Sequence, residues 1–190
     1  MDNQKFVKDA IRTESIIKEV VFDQIILERI LVCLISAGTL LDMVKKNVFY
    51  GKPIDAQKWW NNAAILNEEG SRLNTGEYIQ LINRDVIKVD PRLFHSLVGI
   101  STESAELLEI LIKSINGQTA DAVNIKEELG DLEWYVAIGV DAMKTDLDSI
   151  LDKTIAKLRA RYPDKFDSDK AINRNIEVEQ KILKGTLENE

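Results

Sequence analysis

The sequence predicts an all-α protein built as a helical bundle. Glycine and proline are scarce, with nine and three among 190 residues, which is about half their usual share. Sheets and tight hairpins need more of these residues than long helices do. No stretch alternates between apolar and polar residues for long enough to form a half-buried sheet. We therefore expect helices joined by short loops, in a chain long enough to bury a sizeable core.

The first half of the chain is expected to contain helices over residues 4–20, 22–48 and 55–73. A loop that holds Gly51 and Pro53 separates the last two. The most apolar run, 30–41, is shorter than the roughly 18 residues that cross a bilayer, and charged residues bound it. We expect a buried core helix there. Residues 77–84 form a further candidate helix.

The second half carries marked helix boundaries. Asp90 can cap free N–H groups and Pro91 suits the first helical position, so a helix should begin there. Gly117 suits the end of that helix. The next helix should be capped by Thr119 or Asp121 and should run to about residue 143.

The remaining segment should be helical as well. Thr145 and Asp148 resemble a capping box, and the helix they begin should stop at Tyr162 because Pro163 follows. The polar C-terminus is then expected to form a helix and a frayed end, over residues 168–185 and 186–190.

Charge and cysteine content exclude several classes of protein. A single cysteine permits neither an intrachain disulfide nor a cysteine-based zinc site, which favours a reducing, cytoplasmic location. The N-terminus lacks the basic and apolar regions of a signal peptide, and no membrane partner is expected. The net charge of −7 argues against a nucleic acid as partner. A phosphate ligand that arrives with its own metal remains compatible with this charge.

Two pairs of carboxylates carry the chemistry, Glu103 with Glu106 and Glu128 with Asp131. Residues three apart lie on one helix face, and both pairs fall within the apolar arc of their helix. A single such pair is usually a solvated face, but buried carboxylates are costly unless paired, protonated or bound to metal. A short connection favours a helical hairpin, so the pairs can face each other. Four such oxygen ligands suit Mg²⁺ or Mn²⁺.

Other polar residues share these helix faces. His95 and Lys113 lie at one angle of the helix, alongside Glu106, and Asn124 precedes Glu128 by one turn. A di-iron centre is excluded, because it needs Glu-x-x-His on two helices and the chain has one histidine.

A basic stripe follows on the helix expected after residue 145. Lys153, Lys157 and Arg161 are spaced by four residues. Such stripes are usually solvated faces, but beside a carboxylate–metal cluster this one would share phosphate oxygens with the metal.

Taken together, these residues resemble the all-α nucleoside triphosphate pyrophosphatases, the MazG-like group that also includes dimeric dUTPases. In finer detail they resemble MazG-like proteins common in phages. The resemblance covers about residues 94–166. It is carried by His95, by the two carboxylate motifs, and by the runs 99–103, 106–109, 124–135 and 157–166.

The resemblance implies a helical bundle that forms a homo-oligomer and cleaves a nucleoside triphosphate between its α and β phosphates, with Mg²⁺, to the monophosphate and pyrophosphate. Some phage members act on purine deoxynucleotides, which makes dGTP or dATP the leading substrate. The metal-binding and catalytic residues would be Glu103, Glu106, Glu128 and Asp131. The residues that bind substrate would be His95, Lys113, Asn124, Lys157, Arg161 and Tyr162.

The first half of the chain also resembles the second, at offsets of 67 and then 66 residues. Residues 6–8 are a candidate echo of 78–80. In this alignment the four carboxylates are replaced by Ser36, Thr39, Asn62 and Ile65. We interpret the chain as an internal duplication whose first copy has lost its metal ligands, although chance similarity between helices is an alternative. Within one compact domain, the expected parts are a degenerate repeat, a catalytic unit and a C-terminal tail, over 1–75, 76–166 and 167–190.

Two functions remain open from the sequence. One is a nucleotide pyrophosphohydrolase, and the other is a non-catalytic helical bundle that binds nucleotides or proteins. The intact carboxylate quartet of the second half favours the enzyme.

Overall fold

A computed structural model describes residues 2–74 and 85–185 of the chain. Within these residues the chain forms eight helices and two short strands, which confirms the predicted all-α class. The strands β1 (Val20–Phe22) and β2 (Asp85–Ile87) pair with each other. The helices are α1 (Asn3–Ile11), α2 (Gln24–Tyr50), α3 (Ala56–Leu73), α4 (Pro91–Ile115), α5 (Ala122–Ala142), α6 (Leu147–Arg161), α7 (Ser168–Ile172) and α8 (Ile176–Lys184).

The chain divides into two compact units. Unit 1 contains Met1–Val20 and Lys88–Asp152, and unit 2 contains Val21–Ile87 and Lys153–Glu190. These units differ from the parts expected from the sequence, because packing joins segments that are distant along the chain. The hairpin of α4 and α5 in unit 1 is completed by α1, which packs against α5. The hairpin of α2 and α3 in unit 2 is completed by α7, which packs against α2.

The hairpin of unit 1 starts and ends where the sequence predicts. The side chain of Asp90 accepts two backbone N–H groups of the first turn of α4, at 2.9 and 3.0 Å, and Pro91 follows. Gly117 adopts a φ of 83°, a conformation that glycine reaches without strain, directly after the helix. Asp121 caps α5 in the same way as Asp90 caps α4.

Two glycines allow α4 and α5 to approach each other closely. Gly99 on α4 faces the ring of Tyr135, and Gly139 on α5 faces Ser96. A Cβ atom at either glycine would lie less than 3 Å from that neighbour. The Ser96 hydroxyl also donates to the Tyr135 carbonyl oxygen at 2.8 Å. Together these contacts hold the two helices at a short separation.

The first helix is shorter than predicted. A helix over residues 4–20 is wrong beyond Ile11, because the backbone N–H and the hydroxyl of Thr13 both donate to the Ala10 carbonyl oxygen, at 3.0 and 2.8 Å. The indole N–H of Trp134 donates to the same turn, at 3.2 Å to Ala10 and 2.9 Å to Thr13. These tertiary hydrogen bonds end α1 earlier than its local sequence does.

Three other boundaries differ from the predictions. The cap of α6 is Asp146, whose side chain accepts a backbone N–H at 2.7 Å, in place of Thr145. Residues 168–185 form two helices, because the side chain of Asn175 caps α8 at 3.2 Å and so begins a new helix. The two-stranded sheet was not predicted, since strands of three residues are too short to show alternation.

The prediction of a buried core helix over residues 30–41 is also wrong. Within α2 the buried residues are Ile26 and Ser36, whereas Leu34 and Ile35 are 47% and 68% exposed. The stretch 30–41 carries apolar side chains around most of the helix, and the contacts of α2 with α3 and α7 leave many of them exposed. With 27 residues and a hydropathy of 1.8, α2 is the one helix of the described chain that is long and apolar enough to cross a membrane, judged by length and composition alone.

The two hairpins begin at matching positions in the sequence. Asp23 caps α2 and Asp90 caps α4, 67 residues later, while Asp55 caps α3 and Asp121 caps α5, 66 residues later. These are the offsets at which the two halves of the sequence align. Three predictions lie outside the described residues, namely the echo at 78–80, the helix at 77–84 and the frayed end at 186–190.

Candidate metal centre

The helices α4 and α5 bring three carboxylates together in unit 1. Glu103 and Glu106 lie on α4 and Glu128 lies on α5, and one oxygen atom from each lies within 4.8 Å of the other two. Glu103 and Glu128 are only 9% and 6% exposed, whereas Glu106 faces solvent. A cluster of hard oxygen atoms between two helices, open on the side of Glu106, fits a divalent cation such as Mg²⁺.

Helix spacing and small residues produce this convergence. Glu103 and Glu106 are three residues apart, so they share one face of α4. Gly99 lies one turn before Glu103 and makes room for the ring of Tyr135 on α5. Because the helices approach closely at this point, Glu128 is carried into reach of the α4 pair.

The three carboxylates repel one another. Burial raises the pKa of Glu128 above its usual range, and the negative charges of Glu106 and Glu103 raise it further. The Thr102 hydroxyl donates to the Gly99 carbonyl oxygen at 2.9 Å and lies 3.3 Å from the Oε1 atom of Glu103. A bound cation would remove the repulsion, which is why this group of charges favours a metal ion over three free carboxylates.

Asp131, the fourth predicted ligand, lies outside this three-carboxylate group. It is exposed on α5, one turn after Glu128. Burial raises the pKa of Tyr135, and the negative charges of Glu103, Asp131 and Glu106 raise it further. Asp131 therefore acts electrostatically on Tyr135, and its role as a direct ligand stays a prediction.

A cavity of about 340 Å³ adjoins the carboxylates. Its walls come from the segment after α1, from the first half of α4, and from Tyr135 on α5. Thr102 lines this cavity, and its hydroxyl lies 3.3 Å from a carboxylate oxygen of Glu103. The cavity and the carboxylates are therefore neighbouring parts of one site.

The other residues predicted in unit 1 take different positions. His95 lines the cavity, and its ring stands edge-on to Trp134 and Tyr135, with centroids 5.8 and 5.4 Å apart. Asn124 is half-buried in the first turn of α5. Lys113 is exposed, two turns beyond Glu106 on α4. Of these three residues, His95 is the one that lines the cavity.

The basic residues predicted to bind phosphate belong to unit 2. Lys157 is half-buried on α6, and Tyr162 follows that helix. Arg161 donates to both carboxylate oxygens of Glu179 at 2.7 and 2.8 Å, and it lies 5.5 Å from the centre of the Tyr162 ring. Hydrogen bonds from Arg174 and Arg161 hold the pKa of Glu179 at about 2. Arg161 thus has a carboxylate partner, and its role toward phosphate stays a prediction.

An ion pair beside the cavity was missed by sequence reasoning. Arg92 donates to both oxygens of Glu14 at 2.6 to 2.9 Å and pairs with Asp141 at 2.7 Å. The Glu14 side chain is 3% exposed. Glu14 and Arg92 are 78 residues apart, so no local spacing could reveal the pair. Tyr135, which lines the cavity, could have been found from the sequence, because it follows Asp131 by one turn on the apolar face of the same helix.

Comparison with known families gives a match over part of the chain. Residues 95–166 match the MazG nucleotide pyrophosphohydrolase domain. The matched segment includes the three clustered carboxylates, Asp131 and His95. No curated protein and no solved structure shows a significant match to the chain.

Proposed function

We propose, from the premise that residues 95–166 form a MazG-like nucleoside triphosphate pyrophosphohydrolase domain, that this chain hydrolyses a nucleoside or deoxynucleoside triphosphate with Mg²⁺ as cofactor. The products are the monophosphate and pyrophosphate. The observation that carries the proposal is the convergence of Glu103, Glu106 and Glu128 within 4.8 Å, inside the segment that matches the family.

The chain's residues have distinct roles in this proposal. When bound, Mg²⁺ or Mn²⁺ supplies neutralisation of the phosphate charge and activation of a water molecule. Glu103, Glu106 and Glu128 would hold the metal, with Glu103 and Glu128 on the buried side of the cluster and Glu106 on its exposed side. Asp131 is proposed as the fourth carboxylate of the metal site.

The test is incubation with the four dNTPs and the four NTPs in the presence of Mg²⁺, with measurement of pyrophosphate and monophosphate. Glu128→Gln should abolish turnover, because it removes a metal-facing charge and keeps the size of the side chain. Glu109→Gln is the matched control, since Glu109 is exposed on α4 and lies outside the three-carboxylate group. Turnover that survives in Glu128→Gln, or its absence from the wild type, would contradict the proposal.

The proposed substrate is a purine deoxynucleotide, dGTP or dATP. Its support is the resemblance of residues 94–166 to MazG-like proteins of phages, some of which act on these nucleotides. The same panel gives the ratio of kcat/KM for each base and each sugar. A preference for a pyrimidine or for ribonucleotides would overturn this part of the proposal and leave the reaction type intact.

Lys157, Arg161 and Tyr162 are proposed to bind the phosphates, together with Lys113 and Asn124. The support is their match to the MazG-like sequence pattern. Lys157→Gln should raise KM for the triphosphate by about tenfold, the loss of one charge-assisted hydrogen bond, with kcat nearly unchanged. Arg159→Gln is the control, because Arg159 lies on the same helix, is exposed and is not part of the stripe of Lys153, Lys157 and Arg161. Equal KM values for the two variants would remove Lys157 from the site.

The first hairpin is proposed to be a copy without a metal site. The hydroxyl of Thr39 donates to the Ile35 carbonyl oxygen at 2.8 Å, and the amide of Asn62 donates to the Lys58 carbonyl oxygen at 2.8 Å. Both side chains therefore bond to their own helices. We expect one Mn²⁺ site or binuclear centre per chain by electron paramagnetic resonance, lost entirely in Glu128→Gln. A metal signal that persists in that variant would contradict a metal-free first copy.

A homo-oligomer in the cytoplasm, of the host if the gene is carried by a phage, is proposed as the working state. Its support is the exposed apolar surface of α2, where Ile35 and Val48 are each 68% exposed. Sedimentation should show a dimer or larger species that Ile35→Glu dissociates, while Val123→Glu, an equally exposed position on α5, does not. Flotation with phosphatidylcholine–phosphatidylglycerol vesicles tests the membrane as an alternative partner of α2.

The alternative function is a non-catalytic bundle that binds nucleotides or proteins. Two features favour this function: the first hairpin lacks the four carboxylates of the second, and α2 exposes an apolar surface. The dNTP panel separates the two functions, because a binding module retains nucleotide affinity without releasing pyrophosphate.

A further inference from the structure

We propose that the cavity beside the carboxylates binds the nucleobase of the substrate, and that Ser15 and Ile17 form the wall that selects the base. Both residues lie outside the segment that matches the MazG domain. The inference rests on the proposed function in one respect, since the phosphates are placed at the carboxylates.

The size and position of the cavity suit this role. Its volume of about 340 Å³ is in the range of small-molecule sites, which begins at about 300 Å³. Thr102 is part of its wall, and its hydroxyl lies 3.3 Å from a carboxylate oxygen of Glu103. A nucleoside in the cavity therefore leaves its phosphates next to Glu103, Glu106 and Glu128.

The chemistry of the lining suits a planar aromatic ring. Phe94, His95 and Tyr135 contribute aromatic surface, and Val98 and Ile17 contribute aliphatic surface. The imidazole of His95 is fixed by its edge-on contacts with two aromatic rings. Ser15 lines another wall of the cavity. Its hydroxyl and the His95 imidazole are polar groups in a mainly apolar lining, and such groups can discriminate between the hydrogen-bonding edges of different bases.

The charge of the cavity argues against a phosphate there. Arg92 is the cation of its lining, and Glu14 and Asp141 both bind its guanidinium. The positive charge is therefore matched by two carboxylates from the protein. An uncharged base is not repelled by these carboxylates, whereas a triphosphate would be repelled by their negative charge.

The wall formed by residues 15–17 is held in place by bonds on its N-terminal side. Glu14 is buried against Arg92, and Thr13 accepts the indole N–H of Trp134 at 2.9 Å. Ile17 lines the cavity, whereas its neighbour Ile16 is 81% exposed and is not part of the lining. The two isoleucines therefore offer a matched pair of positions for mutation.

The first experiment measures binding without metal or phosphate. The metal-free protein is titrated with each of the four deoxynucleosides, with deoxyribose as control, and the indole N–H signal of Trp134 is followed by NMR. We expect saturable shifts with at least one deoxynucleoside and none with deoxyribose. Ile17→Trp should weaken this binding at least about tenfold, because it fills the cavity, and Ile16→Trp should not. No binding to the wild type, or equal binding by the two variants, would overturn the proposal.

The second experiment measures selectivity during turnover. Ile17→Trp should lower kcat/KM for the preferred dNTP by about tenfold to a hundredfold relative to Ile16→Trp, and Ser15→Ala should change the ratio of kcat/KM between two bases by about tenfold. Equal kcat/KM in the two tryptophan variants refutes the cavity proposal and leaves the enzyme intact. Deoxynucleoside binding without any turnover refutes the enzyme and leaves the cavity intact.

Discussion

The replacement of Gly99 by alanine tests the close approach of α4 and α5 on which the metal centre depends. An alanine Cβ would lie less than 3 Å from three atoms of the Tyr135 ring, where ordinary contacts begin at 3.4 Å. The ring belongs to the helix that carries Glu128, so relief of the clash must move either the ring or the helix. The same shift would separate Glu128 from Glu103.

The expected loss of stability is about 2 kcal/mol. Overpacking a close helix contact costs roughly 1 to 3 kcal/mol, and the better helix propensity of alanine returns up to about 1 kcal/mol. For a chain of this length, the melting temperature should fall by about 4 to 8 °C, measured by circular dichroism. Gly130→Ala is the control, because Gly130 lies on α5 with no atom near its Cβ position, and alanine there should raise the melting temperature.

A double mutant shows whether the ring is the cause. Tyr135→Leu removes the ring atoms that meet the new methyl group, so Gly99→Ala should cost much less in that background, with a coupling energy of about 1 kcal/mol or more. A melting temperature of Gly99→Ala equal to that of the wild type would refute the close packing. So would an equal loss in both backgrounds, since the clash would then lie elsewhere.

Three further changes test the charged groups. Glu179→Gln should remove a pH-dependent part of the stability of unit 2. Hydrogen bonds from two arginines lower the pKa of Glu179 from its ordinary 4.5 to about 2. The stability that this carboxylate contributes is therefore present above pH 4.5 and is lost as the pH falls toward 2. Urea unfolding at several pH values measures the loss. Glu128 should change the stability with pH in the opposite direction, because burial and neighbouring carboxylates raise its pKa. The metal-free protein should gain stability as the pH falls toward that pKa, and Glu128→Gln should remove the gain in the same assay. Arg92→Met should lower the free energy of unfolding by roughly 3 kcal/mol, because Glu14 stays buried without its partner, and Glu14→Leu in the same chain should restore part of it.

The sequence predicted those features of the site that depend on spacing within one helix. Glu103 with Glu106, and Glu128 with Asp131, are pairs three residues apart, and helix geometry places each pair on one face. Helix boundaries set by a capping side chain were equally accessible, as Asp90 shows. The prediction was less complete for Asp131, because its distance from the other three carboxylates depends on how α5 is rotated against α4.

The sequence could not predict features that depend on contacts between distant segments. The turn that ends α1 receives the indole N–H of Trp134, which lies more than 120 residues away along the chain. The partner of Arg161 lies on α8, which the sequence joined to α7 as one helix. The apolar run in α2 indicated burial, but the contacts available to unit 2 leave much of that helix exposed.

The sequence by itself determined the all-α class, the starts of the main helices and the carboxylate pairs, because these follow from propensity, capping and helical periodicity over a few residues. Tertiary structure decided which carboxylates converge, that Arg161 pairs with the carboxylate of Glu179, and where a cavity opens beside the carboxylates. Those outcomes depend on the close approach of α4 and α5 at Gly99 and on the ion pair that brings Glu14 to Arg92. Packing over such distances depends on shape and on burial, which no short stretch of sequence specifies.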